Sequence, residues 1–312
     1  MNFHQISRPV LLIGSIGLYL TAAADDSMLT IPEGSFIQGS NLTDSNQKSK
    51  EFGSGKPWYM DEHPQHTAHT KAYRIDKYEV SNQNYRQFVI QTGHTPPDYW
   101  KNSGYIFSFD EATLNNAPEI ILRKMAVSVL QLDLDTRQMN RDQLLDAINQ
   151  HYHDYGRIPV TFVSWYDADA FCKWQGKRLP TESEWEKAAR GEKGLEYVWG
   201  NNWQAGLTNS SGEDWLNGAA PGGEYEKDKS PFNVYDMAGN VSEWVDDWYQ
   251  AYPGSDYQSD LFGKTYKVAR GGGWSNAGHY ALKLYNRAAY RINLKPDGSF
   301  NDVGFRCAQD VR

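Results

Sequence analysis

The period of apolar and polar positions changes several times along the chain, and each change marks an element. Residues 29–39 alternate about Pro32-Glu33-Gly34, which predicts a β-hairpin, and residues 73–80 predict a further strand. Ser81 then caps a helix that carries Tyr85, Phe88 and Val89 on one face and stops at Gly93. Residues 159–163 form a short apolar run, read as a buried strand. Ser164 caps the next helix, with Ala168, Phe171 and Cys172 inward and Gly176 as its stop. Thr181 and Glu184 make a capping box for another, which turns Trp185, Ala188 and Ala189 to the core before Gly191. Residues 40–57, rich in Ser, Asn, Lys and Gly, are loop. From about 102 to 156 the texture differs: Ile120, Ile121 and Leu122 and the run 125–130 are apolar, and Leu144, Leu145, Ile148 and Tyr152 recur at helical spacing. This reads as a helical insertion whose stripe either docks on the protein's own body or offers a lid or partner-binding surface.

Composition narrows the class. With 14% aromatic residues, 11 Trp and 27 Gly, the chain is too aromatic for disorder, and a mean hydropathy of −0.71 is too polar for a membrane protein. No linker or internal repeat divides the 312 residues, so 25–312 is read as one domain. Residues 1–24 read as a signal peptide: Arg8 precedes an apolar run at 10–20, and Ala22, Ala23 and Ala24 suit cleavage. An uncleaved anchor is the alternative. The mature protein is expected to be periplasmic or secreted, without a membrane span once the signal is removed. No cysteine follows the apolar run, so a bacterial lipid anchor is not indicated. Losing Arg8 moves the net charge from −8 to −9, which argues against nucleic acid as a partner.

Two stretches carry candidate chemistry. Cys172 and Cys307 are the only cysteines, and in an oxidising compartment a distant pair is most simply a disulfide. The sharper alternative, a catalytic thiol, lacks a His neighbour in either case. Residues 231–248 gather Asp236, Asn240 and Glu243 about Ala238-Gly239, a tight bend with hard oxygen donors for Ca²⁺ or a turn of merely solvated acids. His63, His66 and His69 sit three apart, a spacing that neither a strand nor a helix broken at Pro64 brings to one face.

The segments 159–168, 176–186, 199–201, 235–244 (YDMAGNVSEW), 270–274 (RGGGW) and 304–307 (GFRC) resemble, in order, the formylglycine-generating, or sulfatase-modifying factor, family. The resemblance runs from about Ile31 to Gln309. It implies an α+β, loop-rich fold related to the C-type lectin fold, low in regular secondary structure, and it implies a bridge between Cys172 and Cys307. It also implies a structural Ca²⁺ on Asp236, the carbonyls of Gly239 and Val241, and Glu243. A second Ca²⁺ site would fall on Asn209, Ser210 and Asp214.

The departures from that family bear on function. Its oxidases bind copper through two thiolates after the Arg-Gly-Gly segment, and soft sulfur selects Cu(I). Those positions are Asn276 and Ala281; the family serine after the double glycine is Gly273, and the family Trp before Glu243 is Ser242. Copper is therefore not expected, nor is formylglycine formation. The expectation is an exported binding or regulatory accessory module, as in control of type VI secretion. The alternative is a periplasmic small-molecule oxidase resembling the pyoverdine-maturation branch. Iron-dependent sulfoxide synthases take their His ligands from a separate helical domain missing from this sequence. A groove of Asn276, His279, Tyr280, Tyr285, Asn286, Arg287, Tyr290 and Arg291 would take a protein, peptide or glycan, since these groups suit hydrogen bonding and stacking. The insertion would meet an envelope protein.

Overall fold

The strands are short, and partners far away in sequence complete them. The computed structural model describes residues 27–51, 57–105, 111–210, 218–274 and 282–311. One sheet joins β1 (Met28–Ile31), β4 (Tyr73–Asp76) and β9 (Ala308–Asp310), with β4 central and antiparallel to both. A second pairs β2 (Gly34–Gln38) with β3 (His66–Thr70). The third has the order β7 (Arg291–Leu294), β6 (Lys267–Arg270), β5 (Ser242–Trp248) and β8 (Val303–Gly304), with β5 and β8 parallel. The hairpin expected over 29–39 does not form. Both strands exist, but β1 pairs Leu29 with Ile75 and β2 pairs Phe36 with Ala68. Alternation selects a buried face, not a partner. The carbonyls of Pro32 and Gly34, which a turn would have used, accept instead from Lys187 Nζ at 2.6 and 3.0 Å.

The helices follow their end signals. Helix α1 (Asn82–Thr92) starts at Ser81 and ends at Gly93 in left-handed conformation. Helix α2 is Arg141–Arg157. Helix α3 (Trp165–Trp174) opens on a Ser164–Asp167 capping box, and α4 (Glu182–Arg190) on Thr181–Glu184. Most of α4 is buried, charged residues included, so it is a central rod rather than a one-sided helix. Its charges are matched: Arg190 meets Glu186 at 2.8 Å, and Arg270 meets Glu182 and Glu186 at 2.8 and 2.7 Å. Residues 159–163 are buried in part but form no strand. Val160 N–H donates to Val80 O and Phe162 N–H to Phe300 O, single bonds to two different segments. Cys172 and Cys307 are joined in a disulfide, with Cα atoms 5.6 Å apart, inside the aromatic core of Tyr85, Phe171, Trp244 and Phe305.

The insertion folds onto the body. Leu122, Met125, Leu144, Leu145 and Ile148 make a small core of their own, while Tyr105 and Tyr155 belong to the main core beside Trp100. Asn82 Nδ2 donates to Tyr155 O at 3.0 Å. The helical stripe is thus mostly internal. Ile120, 70% exposed, and Ile121, 51% exposed, point outward. Among the described residues no helix is long and apolar enough to cross a membrane, and residues 1–24, read from the sequence as a signal peptide, lie outside them.

Candidate functional site

The bend at 231–241 is wound tightly by residues with short polar side chains. Asn233, Asp236 and Asn240 take φ values of 65°, 60° and 70°, a region Asn and Asp tolerate better than most. Gly239 admits nothing larger, since a Cβ there would lie 2.1 Å from Thr208 Oγ1 and 2.6 Å from Asn209 O. Asp228 pins the bend from behind: its oxygens accept from Ala238 N–H at 3.0 Å, Gly239 N–H at 3.1 Å and the Thr208 hydroxyl. Asn240 Oδ1 accepts from Ala220 N–H at 2.8 Å, and its Nδ2 donates to Glu79 Oε1 at 3.1 Å.

Glu79 and Asp236 lie side by side behind this bend. Asp236 Oδ2 accepts from Gly223 N–H at 2.6 Å, while the buried Oε2 of Glu79 has no hydrogen-bond partner. Burial, reinforced by Asp228, pushes the Asp236 carboxyl up to about 8. Burial and then Asp236 push Glu79 well above the usual carboxylate range, and burial lifts Asp228 to about 6. Two such groups share a proton or take a cation.

The calcium set implied by the resemblance does not close as drawn. Both Glu243 oxygens are taken: Arg306 binds them from Nε and Nη2 at 2.6 Å each, and Trp185 Nε1 donates at 2.9 Å. Among the described residues no three His, Cys, Asp or Glu side chains form a metal cluster. What fits a hard cation is narrower: the Asp236 carboxylate, the orphaned Glu79 oxygen and neutral oxygens of the bend, where Gly239 and Val241 remain carbonyl candidates. In the second set, Asn209 Nδ2 is spent on Gly218 O and Asn240 Oδ1 at 2.8 and 3.1 Å. Ser210 is half-buried, and Asp214 lies outside the described residues. The three histidines do not converge. His63 Nε2 meets Leu42 O, His66 Nδ1 meets Pro64 O, and His69 faces Glu33.

The groove lies between the start of β5 and the chain around β7. A cavity of ≈ 210 Å³ is lined by Ser242, Tyr285, Tyr290, Ile292, Phe300 and Asp302, among others. Ser242 leaves the space open, its Oγ donating to Gly271 O at 3.0 Å. Gly273 lets the opposite wall close in, because a Cβ there would lie 2.8 Å from Asp302 Oδ2. The Tyr285 and Tyr290 rings meet edge to face with centroids 5.2 Å apart.

Three residues expected to line the groove turn into the interior. Asn286 is fully buried, its Nδ2 donating to Ala238 O at 2.5 Å. Arg287 Nη1 spans both Glu62 oxygens at 2.7 and 2.8 Å and also pairs with Glu196. Arg291 grips Glu182 from Nε and Nη2 at 2.7 and 2.9 Å and donates to Asp61 O. Buried charges are retained only when matched, and these carboxylates match them. Asn276, His279 and Tyr280 lie outside the described residues, as does Ala281. The sequence reading missed Glu79, Asp228 and Asp302. Their one signal was an acid within an apolar or turn segment, which many solvated acids share.

A family profile for the sulfatase-modifying factor enzyme 1-like domain matches residues 20–311. The chain belongs to the sulfatase-modifying factor family. It is 28% identical to the inactive C-alpha-formylglycine-generating enzyme 2 of Mus musculus, over 97% of this chain and 93% of that one. It is 32% identical to the formylglycine-generating enzyme of Streptomyces coelicolor, over 83% and 85%. The solved structure of PvdO from Pseudomonas aeruginosa shares the fold, with a TM-score of 0.56 at 21% identity over 91% of this chain and 94% of that one. Relatives bearing the names of an enzyme and of an inactive form thus match this chain at similar identity. Its only two cysteines are joined to each other.

Proposed function

We propose that this member of the sulfatase-modifying factor family is an exported accessory module that binds a ligand in its groove and does not generate formylglycine. The observation that carries the reading is the sulfur count. Copper oxidation of a substrate cysteine needs thiolates at the groove, and both cysteines are committed to one disulfide in the aromatic core. What the groove offers instead is recognition: two tyrosines, a carboxylate and a serine around a small cavity, suited to a side chain or sugar of a peptide, protein or glycan partner. Control of a type VI secretion system in the periplasm is one setting for such a module, with an envelope protein meeting the outward apolar groups of the insertion, Ile120 and Ile121. Ca²⁺ would be held by Asp236 and Glu79 and would fix the bend rather than take part in a reaction.

Ser242→Trp tests this, because it fills the cavity from within. Affinity capture from a cell-envelope extract should recover a partner with wild-type protein and lose it with the variant, at unchanged melting temperature. Equal recovery by both proteins contradicts a role for the groove. Oxygen consumption with a small siderophore precursor would replace the binding reading by an oxidase of the pyoverdine-maturation kind.

A further inference from the structure

Side chains alternate across β7, so the strand has two uses. Ile292 and Leu294 face the groove, while Arg291 faces the opposite side. There a second, larger cavity of ≈ 630 Å³ opens between the β2–β3 pair, the first turn of α4 and the chain leaving β5. That volume lies within the roughly 300–1,000 Å³ of small-ligand sites.

Its floor is electrically settled. Arg291 and Arg270 bind Glu182, Arg270 and Arg190 bind Glu186, and the Tyr252 hydroxyl donates to Glu186 Oε2 at 3.1 Å. The walls are not. Gln38 is only 3% exposed, and its side chain makes one hydrogen bond, accepting from Ser183 Oγ at 3.0 Å through Oε1, which leaves Nε2 to the cavity. Asp247 accepts from Glu182 N–H at 2.6 Å through Oδ2, which leaves Oδ1. His66 Nδ1 donates to Pro64 O at 2.8 Å, so Nε2 is an acceptor. Beside them Trp248 supplies an aromatic wall.

These groups select by charge and by hydrogen-bond type. Asp247 disfavours an anion. Lys267 Nζ lies 4.4 Å from the centroid of Trp248 and 3.9 Å from that of Trp165, so one face of Trp248 already holds a cation and a second on the other face would be repelled. The wall offers a donor at Gln38 and acceptors at Asp247 and His66. A hydroxyl both donates and accepts, so neighbouring hydroxyls satisfy that set while an apolar ligand strands it. A sugar ring adds an apolar face for Trp248. We propose that this cavity is a binding site for a neutral saccharide, distinct from the groove on the other side of β7.

The test is a titration of the purified full chain against an array of neutral oligosaccharides built from glucose, galactose, mannose and N-acetylglucosamine, with sialylated, sulfated and amine-bearing glycans alongside. Wild-type protein should retain neutral glycans. Gln38→Leu and Trp248→Ala should each weaken retention tenfold or more. Trp248 also covers Lys267, so Gln38→Leu decides if Trp248→Ala fails to fold. Retention of charged glycans alone, no retention at all, or retention indifferent to Gln38→Leu would each overturn the assignment. Loss with Ser242→Trp alone would move the saccharide to the groove and overturn it equally.

Discussion

Arg306 holds Glu243 through two hydrogen bonds of 2.6 Å, both residues fully buried and 63 positions apart in sequence. The pair joins the acid of the bend segment to the Arg of the C-terminal Gly-Phe-Arg-Cys, and Arg306 also reaches the backbone oxygens of Asp76, Lys77 and Tyr235. One guanidinium thus fastens the last strand region to the bend. Removing a single partner of such a pair leaves an unmatched buried charge. Glu243→Ala is expected to lower stability by about 3–5 kcal/mol, read as a shifted urea midpoint at unchanged slope. A shift within the error of the melt would mean that the pair is loose in solution.

Calcium provides a second prediction, because Glu243 is bound by Arg306 while the buried Oε2 of Glu79 has no hydrogen-bond partner. At pH 7.5, Ca²⁺ should raise the melting temperature over an EGTA control, and a hundredfold excess over Kd would add about 2.7 kcal/mol. Glu79→Gln should erase that increment. If it persists in Glu79→Gln, the cation does not use this oxygen. If EGTA changes nothing in wild type, the acid pair holds a proton.

Asp247 makes stability depend on pH. Burial, and next the repulsion of Glu182, push its carboxyl up to about 6 from an ordinary 3.8. The folded chain therefore keeps a proton that the unfolded chain has released. The contribution is whole below about pH 4 and is lost as pH rises through about 6. Two units correspond to roughly 3 kcal/mol at most. Asp247→Asn should flatten the decline in stability between pH 4 and 7. An identical slope in both proteins would show that Asp247 titrates normally.

The insertion yields a prediction opposite to that of a detachable module. Tyr105 and Tyr155 at its base are part of the main core. Excising 102–156 should abolish a cooperative melt, whereas excising 112–147 behind a short Gly-Ser linker should preserve it. A cooperative melt after the larger deletion would place those tyrosines outside the core in solution.

What was legible in the sequence was local. Ser81, Ser164 and Thr181 announced their helices because a cap acts within three residues, and the motif at 235–244 marked the bend. Pairing over distance was not legible. Alternation at 29–39 specified two strands but could not name β4 and β3 as their partners. Arg287 and Arg291 looked like groove donors because Glu62 and Glu182, which neutralise them, lie 225 and 109 positions away. Glu79 was hidden for the same reason: only folding brings it to Asp236.

The central claim is that a member of this family has exchanged copper oxidation for binding. It is tested most directly by incubating the purified protein with Cu(I), O₂ and a peptide carrying a sulfatase-type cysteine, and following the peptide by mass spectrometry. The account predicts an unmodified cysteine and no tight copper binding, with an active formylglycine-generating enzyme converting the same peptide in parallel. A peptide aldehyde formed by this protein would contradict it.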